Sequence, residues 1–464
     1  MKIFELEKYR DKTAFIDENG EIAYYRDVLD FAERIGFKIG VNKHIYMKAL
    51  ANMGMLIYYI AFLYTDNVVQ VVDKEIPYEQ HLNYIRKYRP EYICEEVADD
   101  VEYLDQLHGY GIRKANQKSQ KVVNKELALL LSTSGSTGDC KFVRQSKKNI
   151  VSNAKAIIEY LQISENDRAI LSLPLSYTFG LSILHTHIMV GATLLVPYSK
   201  IYQAAFWKFF QENHGTTFSG VPYTFELLEK LNFFAKDMHI DYITQAGGKL
   251  SLNLQNKIFD YAKKNKIRFY IMYGQTEATA RMTYLPVEYF MAQQKKGSVG
   301  IPIPGGRIEI CNPDNGQKCP TYMEGEIVYQ GDNVCLGYAN DYWDLRCGNN
   351  NQGILKTGDI GYLDSDGFLY ITGRIKRFVK ISGKRLNLDD IESKIKDEFD
   401  IPCAVVGNDE KICIFVDINK LEEILQYSLK MFSIHPQKMK IKYIEKIPEL
   451  ESGKTDYTKL LKGM

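Results

Sequence analysis

The chain has 464 residues, of which 45% are hydrophobic and 25% charged, as in an ordinary soluble globular protein of two to four domains. Its 59 basic and 58 acidic residues give a formal net charge of +1, so no nucleic-acid partner is implied. The eight cysteines include no C-x-x-C pair, and the first residues lack the basic-then-apolar order of a signal peptide. We therefore expect a reduced protein of the cytoplasm.

The first part of the chain alternates strand and helix patterns. The strand candidates "HIYMKAL", "NVVQVVD" and "EYICEE" are separated by helical patterns, which predicts βαβ units. One intervening stretch, "ALANMGMLIYYIAFLY", is strongly apolar, but it contains Asn52 and is shorter than the roughly 20 residues that span a bilayer. We therefore predict a buried helix followed by a strand, and no membrane span.

A loop rich in Ser, Thr and Gly follows the next buried strand, in "LLLSTSGSTGDCKFVRQS". Gly135 and Gly138 can adopt positive φ, while the hydroxyl groups and Lys141 suit phosphate. A Walker loop would continue as Gly-Lys into a helix, whereas Lys141 leads into an apolar pair and Ser146 is a helix N-cap candidate. The pattern predicts a strand–loop–strand phosphate loop; the alternative interpretation is a flexible linker.

The alternation continues through "RAILSLPL", "ATLLVPY", "TTFSGVP" and "HIDYITQAGG" to "IRFYIMYGQTEA". His185 and His187 lie in an apolar segment without a third ligand nearby, so we predict core histidines rather than a zinc site. Gly247 and Gly248 follow a strand pattern, where a glycine pair is typical of a turn.

The sequence pattern changes after about residue 296. Short strands punctuated by glycine predict an antiparallel β region over about 297–373, either β-barrel-like or a meander. Beyond it, helix and strand patterns such as "NLDDIESKIKDEF" and "KICIFVDI" predict a compact α+β unit over 374–464. The predicted fold class is α/β. A large N-terminal domain (1–373), made of two doubly wound αβ subdomains and the β-rich region, is followed by a small C-terminal domain joined by a hinge.

Three further signals lie far apart in the sequence. "YGQTEA" follows a strand, at the end where open α/β sheets bind ligands; Asp359 lies in a turn flanked by glycines; and Lys454 lies in "ESGKTDY". Each signal alone is weak evidence of a functional site, because aspartate is common in turns and a lysine near a terminus is usually solvated. Taken in order with the phosphate loop, "LPLSYTFGL", "AGG", "KTGD" and "GRIKRFVKISGKR", they resemble the AMP-forming adenylate-forming superfamily over nearly the whole chain. Acyl-CoA synthetases, adenylation domains and luciferase are members.

The resemblance implies an ATP-binding set made of Thr133, Ser134, Gly135, Ser136, Thr137, Gly138, Lys141, Gly247, Gly248, Tyr273, Gly274, Gln275, Asp359 and Arg374. In this family the loop and Lys141 would wrap the β- and γ-phosphates, and Tyr273 would stack on adenine. Asp359 would accept both ribose hydroxyls, assisted by Arg374. The glycine pair would border the substrate and adenine sites.

The resemblance also implies the catalytic residues Lys454, Thr276 and Lys380, with Glu277 as the magnesium ligand. Lys454 would bridge the acyl carboxylate and the α-phosphate, which Thr276 also contacts; a positioned lysine and Mg²⁺ neutralise charge as it develops. Lys376 is the predicted hinge, and Lys380 would assist the second half-reaction. The alternative for Lys376 and Lys380 is a solvated basic strand face.

Tyr177, Thr178 and Tyr223 are predicted in the acyl pocket. The sequence departs from the family pattern at Cys140, where most members carry proline, and at Tyr177, where many carry histidine or another aromatic residue. Residues 172–191 contain no acidic residue, and a buried ammonium group without a carboxylate partner is costly, so an α-amino acid substrate is disfavoured.

The function that the resemblance implies is activation of a small carboxylic acid with ATP and Mg²⁺ through an acyl-adenylate, followed by acyl transfer to a thiol. Coenzyme A (CoA) or a phosphopantetheinyl group is the expected acceptor. The alternative enzyme is a stand-alone ligase that loads an acyl or aminoacyl group onto a phosphopantetheinyl carrier protein, such as an acyl carrier protein, and an amine acceptor also stays open. A non-catalytic nucleotide-binding scaffold is disfavoured, because Lys141, Glu277, Asp359 and Lys454 are all retained.

Overall fold

The computed structural model describes residues 2–116, 122–132, 141–236, 238–381, 384–432, 434–449 and 455–464. Within these ranges, no helix combines the length and the apolar character that crossing a membrane requires. The seven cysteines that they contain are all free thiols.

The first part of the chain alternates strands and helices as predicted. Its strands are β1 (Thr13–Asp17), β2 (Ile22–Tyr24), β3 (His44–Ala49), β4 (Val68–Asp73), β5 (Tyr92–Glu96), β6 (Asp105–Leu107), β7 (Tyr110–Lys114), β8 (Leu127–Ser132) and β9 (Phe142–Ser146). Its helices are α1 (Tyr25–Ile39), α2 (Met53–Tyr64) and α3 (Tyr78–Tyr88). The apolar stretch is α2, a helix buried along nearly its whole length, and it leads into β4 as predicted.

The predicted phosphate loop joins β8 to β9. These strands pair antiparallel, with Ser132 opposite Phe142, so the strand–loop–strand prediction is confirmed. The Ser146 side chain accepts a hydrogen bond from the Asn149 amide, and the helix begins at the next residue, which confirms the predicted N-cap.

The middle of the chain forms a second alternating unit. Its strands are β10 (Arg168–Ile170), β11 (Thr193–Val196), β12 (Thr217–Gly220), β13 (Tyr242–Gln245), β14 (Arg268–Tyr273), β15 (Thr283–Tyr284) and β16 (Ile301–Pro302). Its helices are α4 (Lys147–Leu161), α5 (Thr178–Val190), α6 (Ala204–Glu212), α7 (Pro222–Lys230), α8 (Leu252–Asn265) and α9 (Val287–Met291).

The β-rich region supplies β17 (Arg307–Cys311), β18 (Gly325–Gln330), β19 (Gly337–Ala339), β20 (Ile354–Leu363) and β21 (Leu369–Arg374). A nine-stranded sheet has the order β16-β15-β14-β13-β12-β10-β11-β1-β2, and an eight-stranded sheet has the order β19-β9-β8-β4-β3-β5-β7-β6. The central strands of both sheets are parallel, as βαβ connections require, so the prediction of two αβ subdomains is confirmed.

Four strands of the β-rich region form an antiparallel sheet in the order β17-β18-β20-β21. Within the described residues this sheet is open. The antiparallel prediction therefore holds, but the region does not close into a barrel: its outer strands β17 and β21 do not pair with each other. The fifth strand, β19, pairs with β9 of the eight-stranded sheet instead.

The C-terminal part is an α+β unit with its own apolar clusters. Its strands are β22 (Phe378–Ile381), β23 (Lys384–Asn387), β24 (Cys403–Gly407), β25 (Ile412–Val416) and β26 (Met439–Tyr443), and its helices are α10 (Leu388–Phe399), α11 (Leu421–Phe432) and α12 (Tyr457–Lys462). The patterns "NLDDIESKIKDEF" and "KICIFVDI" contain α10 and β25, as the α+β prediction requires.

The two histidines of α5 are 4% and 3% exposed, as expected of core side chains. His185 Nε2 lies 2.8 Å from the Tyr59 hydroxyl, and His187 Nδ1 lies 2.8 Å from the Ile183 carbonyl oxygen. Burial lowers the pKa of His185 to about 3 and that of His187 to about 4, so both rings are neutral near pH 7. No cluster of three or more metal-ligating side chains occurs in the part of the chain that the structure describes.

Candidate active site

The site lies where β12, β13 and β14 end. These strands are parallel and in register, so Gly220, Gln245 and Tyr273 finish at one edge of the nine-stranded sheet. Ligands bind at this edge in open α/β sheets. The fold therefore brings the "AGG" and "YGQTEA" segments together.

A buried carboxylate is the centre of the site. Asp359 is 3% exposed, and its Oδ2 accepts hydrogen bonds from the Tyr273 hydroxyl at 2.5 Å and from Gln275 Nε2 at 2.7 Å. Its Oδ1 accepts from Arg374 Nε at 3.0 Å, across the antiparallel pair of β20 and β21. Burial, reinforced by the charge of Asp359, raises the pKa of Tyr273 well above its usual range, so the hydroxyl stays protonated and donates.

The turn after β14 is tightly constrained. A Cβ added to Gly274 would lie 1.8 Å from the Ala280 carbonyl oxygen, so only glycine fits there. Thr279 and Ala280 have φ of 61° and 155°, conformations that side-chain-bearing residues rarely adopt. Backbone strain of this kind persists where surrounding contacts enforce it.

Glu277 is held from two directions. Its Oε1 accepts from the Tyr338 hydroxyl at 2.7 Å, and its carbonyl oxygen accepts from the Cys335 amide at 2.8 Å. Gln145 Nε2 fixes the neighbouring Thr276 by donating to its carbonyl oxygen at 2.9 Å. The second carboxylate oxygen of Glu277 makes no hydrogen bond within the described ranges. One free carboxylate oxygen fits Mg²⁺, which proteins commonly bind through one or two carboxylates together with substrate phosphates.

The predicted loop residues Thr133–Gly138 lie outside the described residues, as do Cys140 and Lys454. Lys141 is described; it is exposed and immediately precedes β9. The segment that contains Lys454 is flanked by an antiparallel bridge between Glu449 and Thr455.

Tyr177, which was predicted in the acyl pocket, adjoins Gly247. A Cβ on Gly247, whose φ is +89°, would lie 3.3 Å from the Tyr177 hydroxyl oxygen and 3.1 Å from Val221 Cγ1. The Thr178 hydroxyl donates to the Thr279 carbonyl oxygen at 3.2 Å, which ties α5 to the strained turn. Tyr223 is 37% exposed near the start of α7. Gly248 packs differently, because its added Cβ would lie 3.0 Å from Pro222 Cγ.

Lys376 and Lys380 are both exposed. Among the described residues, neither forms a hydrogen bond to the cluster around Asp359. Lys376 is within a short 3₁₀ turn, Ile375–Arg377, between β21 and β22. The Lys380 amide donates to Asp409 Oδ1 at 2.7 Å, within the C-terminal unit.

Three residues of the site were not predicted from the sequence: Gln145, Arg281 and Tyr338. Gln145 lies on β9 and donates to the Thr276 carbonyl oxygen, and Tyr338 lies on β19, which pairs with β9. Both are contacts between distant segments that no local pattern reveals. Arg281 had a local signal, as the one charged residue in the sequence between Glu277 and Glu288.

Comparison with known proteins agrees with this architecture. The family model described as AMP-binding enzyme matches residues 5–339, more than half of the chain. The chain belongs to the AMP-binding enzyme family.

Among curated relatives, the 2-succinylbenzoate–CoA ligase of Bacillus subtilis is 31% identical over 57% of this chain and 52% of its own. The oxalate–CoA ligase of Saccharomyces cerevisiae is 27% identical over 71% of this chain and 62% of its own. The chain thus spans between about half and three fifths of the length of these relatives. Among solved structures, Bacillus subtilis O-succinylbenzoate coenzyme A synthetase in complex with ATP and magnesium has a TM-score of 0.76 at 21% identity, covering 98% of both chains. This last similarity shows the shared fold.

Proposed function

We propose that this protein activates a small carboxylic acid with ATP and Mg²⁺ as an acyl-adenylate and then transfers the acyl group to the thiol of coenzyme A. The observation that carries the proposal is the buried Asp359 cluster beside Glu277, at the ligand-binding edge of a fold belonging to the AMP-binding enzyme family. The names of the two curated relatives, both CoA ligases, support coenzyme A as the acceptor.

In the proposed first step, a carboxylate oxygen of the acid attacks the α-phosphorus of ATP, and the bond to the β-phosphate breaks to release pyrophosphate. Asp359 holds the ribose hydroxyls, while the ring of Tyr273 packs against adenine. Lys141 and the adjoining loop bind the β- and γ-phosphates, Thr276 contacts the α-phosphate, and Lys454 bridges the two reacting anions. Mg²⁺, held by Glu277, would neutralise phosphate charge as the bond breaks.

In the proposed second step, the thiol sulfur attacks the acyl carbonyl carbon, the bond to AMP breaks, and the thiol proton leaves to solvent. Rotation of a C-terminal domain beginning at residue 374 would bring Lys380 to the site for this step. Lys376 is a suitable hinge because its neighbours are anchored on opposite sides. Arg374 pairs with Asp359, whereas Arg377 pairs with Asp389 at 2.7 Å in the C-terminal unit.

The test is to incubate the protein with MgATP, a panel of carboxylic acids and either coenzyme A or a phosphopantetheinylated carrier protein, and to measure nucleotide and thioester products. The proposal predicts AMP, pyrophosphate and an acyl-CoA in equal amounts with at least one acid. If the carrier protein is acylated and coenzyme A is not, the acceptor of the second step is the carrier protein, and that part of the proposal is contradicted. Release of ADP, or of no nucleotide product with any acid, would contradict the proposal.

A further inference from the structure

Tyr338 is a residue of the site to which the proposed reaction gives no role. Its hydroxyl donates a hydrogen bond of 2.7 Å to Glu277 Oε1, and the residue as a whole is 44% exposed. The two residues are 61 positions apart in the sequence. They lie on different elements, β19 and the turn after β14, so the contact exists because the fold brings β19 to this turn.

The backbone of β19 is fixed on both sides of Tyr338. Tyr338 pairs with Val143 of β9 in an antiparallel ladder. The buried guanidinium of Arg144 donates from Nε to the Tyr338 carbonyl oxygen at 3.1 Å and from Nη2 to the Leu336 carbonyl oxygen at 3.0 Å. Gly337 lies between them with a φ of +123°, and a Cβ there would lie 3.1 Å from Arg144 Nη2. These contacts hold the phenol ring in place relative to β9.

The stretch of chain that leads into β19 holds the other end of the contact. Asn333 Nδ2 donates to the Ala278 carbonyl oxygen at 2.9 Å, and the Cys335 amide donates to the Glu277 carbonyl oxygen at 2.8 Å. The same short stretch therefore fixes the backbone of the turn that bears Glu277 and, through Tyr338, the carboxylate of Glu277 as well.

The hydrogen-bond partner of the Glu277 carboxylate is neutral, which distinguishes this carboxylate from that of Asp359. Asp359 pairs with the guanidinium of Arg374, which offsets its charge. Among the described residues Glu277 forms no ion pair, and its side chain accepts from a phenol. A phenol orients a carboxylate without neutralising it, so the negative charge of Glu277 stays available to a cation.

The hydrogen bond also makes the two carboxylate oxygens of Glu277 unequal. Oε1 accepts from Tyr338, whereas Oε2 makes no hydrogen bond within the described ranges. Mg²⁺ requires a near-ideal octahedral shell, which proteins supply through one or two carboxylates together with phosphates and water. Ca²⁺ is larger, takes a larger and more flexible shell of oxygens, and is often bound by both oxygens of one carboxylate. A glutamate with one free oxygen therefore suits Mg²⁺ better than Ca²⁺.

We infer that Tyr338 is a positioning residue that restricts Glu277 to a single metal-binding oxygen and thereby selects Mg²⁺ over the larger Ca²⁺. The inference rests on the proposed function, in which Glu277 holds the metal ion that accompanies ATP. It names the group that determines which metal ion the site accepts. Tyr338 acts through Glu277 and does not itself bind the metal ion.

The test measures the Kd of ATP by isothermal titration calorimetry in three buffers, which contain saturating Mg²⁺, saturating Ca²⁺ or EDTA. Neither an acid nor coenzyme A is added, so the measurement does not need turnover. The wild type should bind ATP more tightly with Mg²⁺ than with Ca²⁺, and least tightly with EDTA.

Tyr338→Phe removes one oxygen atom and keeps the ring. We expect the Kd measured with Mg²⁺ to rise about tenfold, a loss typical of removing the hydrogen bond that orients a metal ligand. The Kd measured with Ca²⁺ should stay the same or fall, so that the preference is lost, and the Kd measured with EDTA should not change.

Tyr322→Phe is the matched control. Tyr322 is an exposed tyrosine of the β-rich region, and its hydroxyl lies 3.1 Å from Ser365 Oγ. This variant also loses one phenol oxygen and should keep the wild-type preference for Mg²⁺. Thermal unfolding of both variants checks that each is folded as stably as the wild type.

A purely structural role of Tyr338 gives a different result. Tyr338→Phe would then unfold at a lower temperature and bind ATP more weakly by the same factor in all three buffers, which would overturn the inference. An unchanged ratio of the Mg²⁺ and Ca²⁺ values in Tyr338→Phe would overturn it too, as would a wild type that binds ATP equally in the three buffers. These results leave adenylation to be judged by the release of AMP and pyrophosphate. A wild type that binds no ATP in any buffer contradicts the proposed function itself, and the inference with it.

Discussion

The Tyr273 hydroxyl donates a hydrogen bond of 2.5 Å to Asp359 Oδ2, joining residues that are 86 positions apart. This contact links the last residue of β14 in the nine-stranded sheet to β20 in the antiparallel sheet. The ring and the carboxylate that the proposal assigns to adenine and ribose are therefore fixed relative to each other before any ligand binds.

Replacing Asp359 should weaken nucleotide binding. Asp359→Asn removes the charge with little change in volume, and we expect the Kd for ATP to rise by about 10- to 100-fold, the equivalent of losing a hydrogen bond to a charged group. Isothermal titration calorimetry measures this effect. Asp366→Asn is the matched control, because Asp366 is an exposed aspartate of the following turn that pairs with Lys295. Equal ATP affinity in Asp359→Asn and the wild type would contradict the ribose role.

Gly274 should not tolerate a side chain. In Gly274→Ala the new methyl group meets the Ala280 carbonyl oxygen, so we expect the free energy of unfolding to fall by roughly 2 kcal/mol or more. Gly348→Ala serves as the control, since an added Cβ there has no atom within 4 Å and the position does not have a positive φ. Chemical denaturation of the two variants measures the difference. Similar stability of both would show that the turn relaxes freely.

Acid should destabilise the protein partly through the core histidines. The pKa values of His185 and His187 are about 3 and about 4 in the folded chain, below the value near 6.5 of an unfolded chain. Between these pKa values the unfolded state binds more protons than the folded state does. The free energy of unfolding is therefore highest above pH 6.5 and falls as the pH drops below that value. Each histidine should lower the free energy of unfolding by at most about 1.4 kcal/mol for each unit that the pH falls in this range.

Histidine NMR resonances followed from pH 7.5 to 5.5 test this directly. The His185 and His187 signals should hold their neutral-form chemical shifts while the protein stays folded. A titration of either ring with a midpoint near pH 6.5 would show that the ring is accessible to protons and would contradict its place in the core.

Lys380 should matter for the second half-reaction alone. We expect Lys380→Ala to form the acyl-adenylate at the wild-type rate and to slow thioester formation about 10-fold or more, within the range that positioned acid–base or charged groups contribute. Lys384→Ala, an exposed lysine on the paired strand β23, is the control. Single-turnover measurements separate the two steps. A loss of equal size in both steps would assign Lys380 a different role.

Much of the fold could be predicted because its signals are local. Period and length distinguish the buried helix α2 from the strand β4, and Ser146 marks the start of α4. The family resemblance placed Asp359 and Arg374 together, and the hairpin of β20 and β21 does bring them into contact across 15 residues.

The remainder depends on contacts between distant segments. Nothing local indicates that β19 leaves the β-rich region to pair with β9, a contact that carries Tyr338 to Glu277 and leaves the four-stranded sheet open. The burial of Arg281 without a carboxylate was likewise hidden, since it depends on how α4 and α5 pack over the strand ends.

The most direct test of the account is carboxylate-dependent ATP–pyrophosphate exchange by the wild type and by Lys454→Ala, over a panel of aliphatic, aromatic and dicarboxylic acids. The account predicts exchange that depends on one class of acid, and its loss in the variant while ATP binding is retained. Exchange at the wild-type rate in Lys454→Ala would contradict the assignment of the catalytic lysine. Absence of exchange with every acid, in a wild-type protein that binds ATP, would contradict adenylation itself.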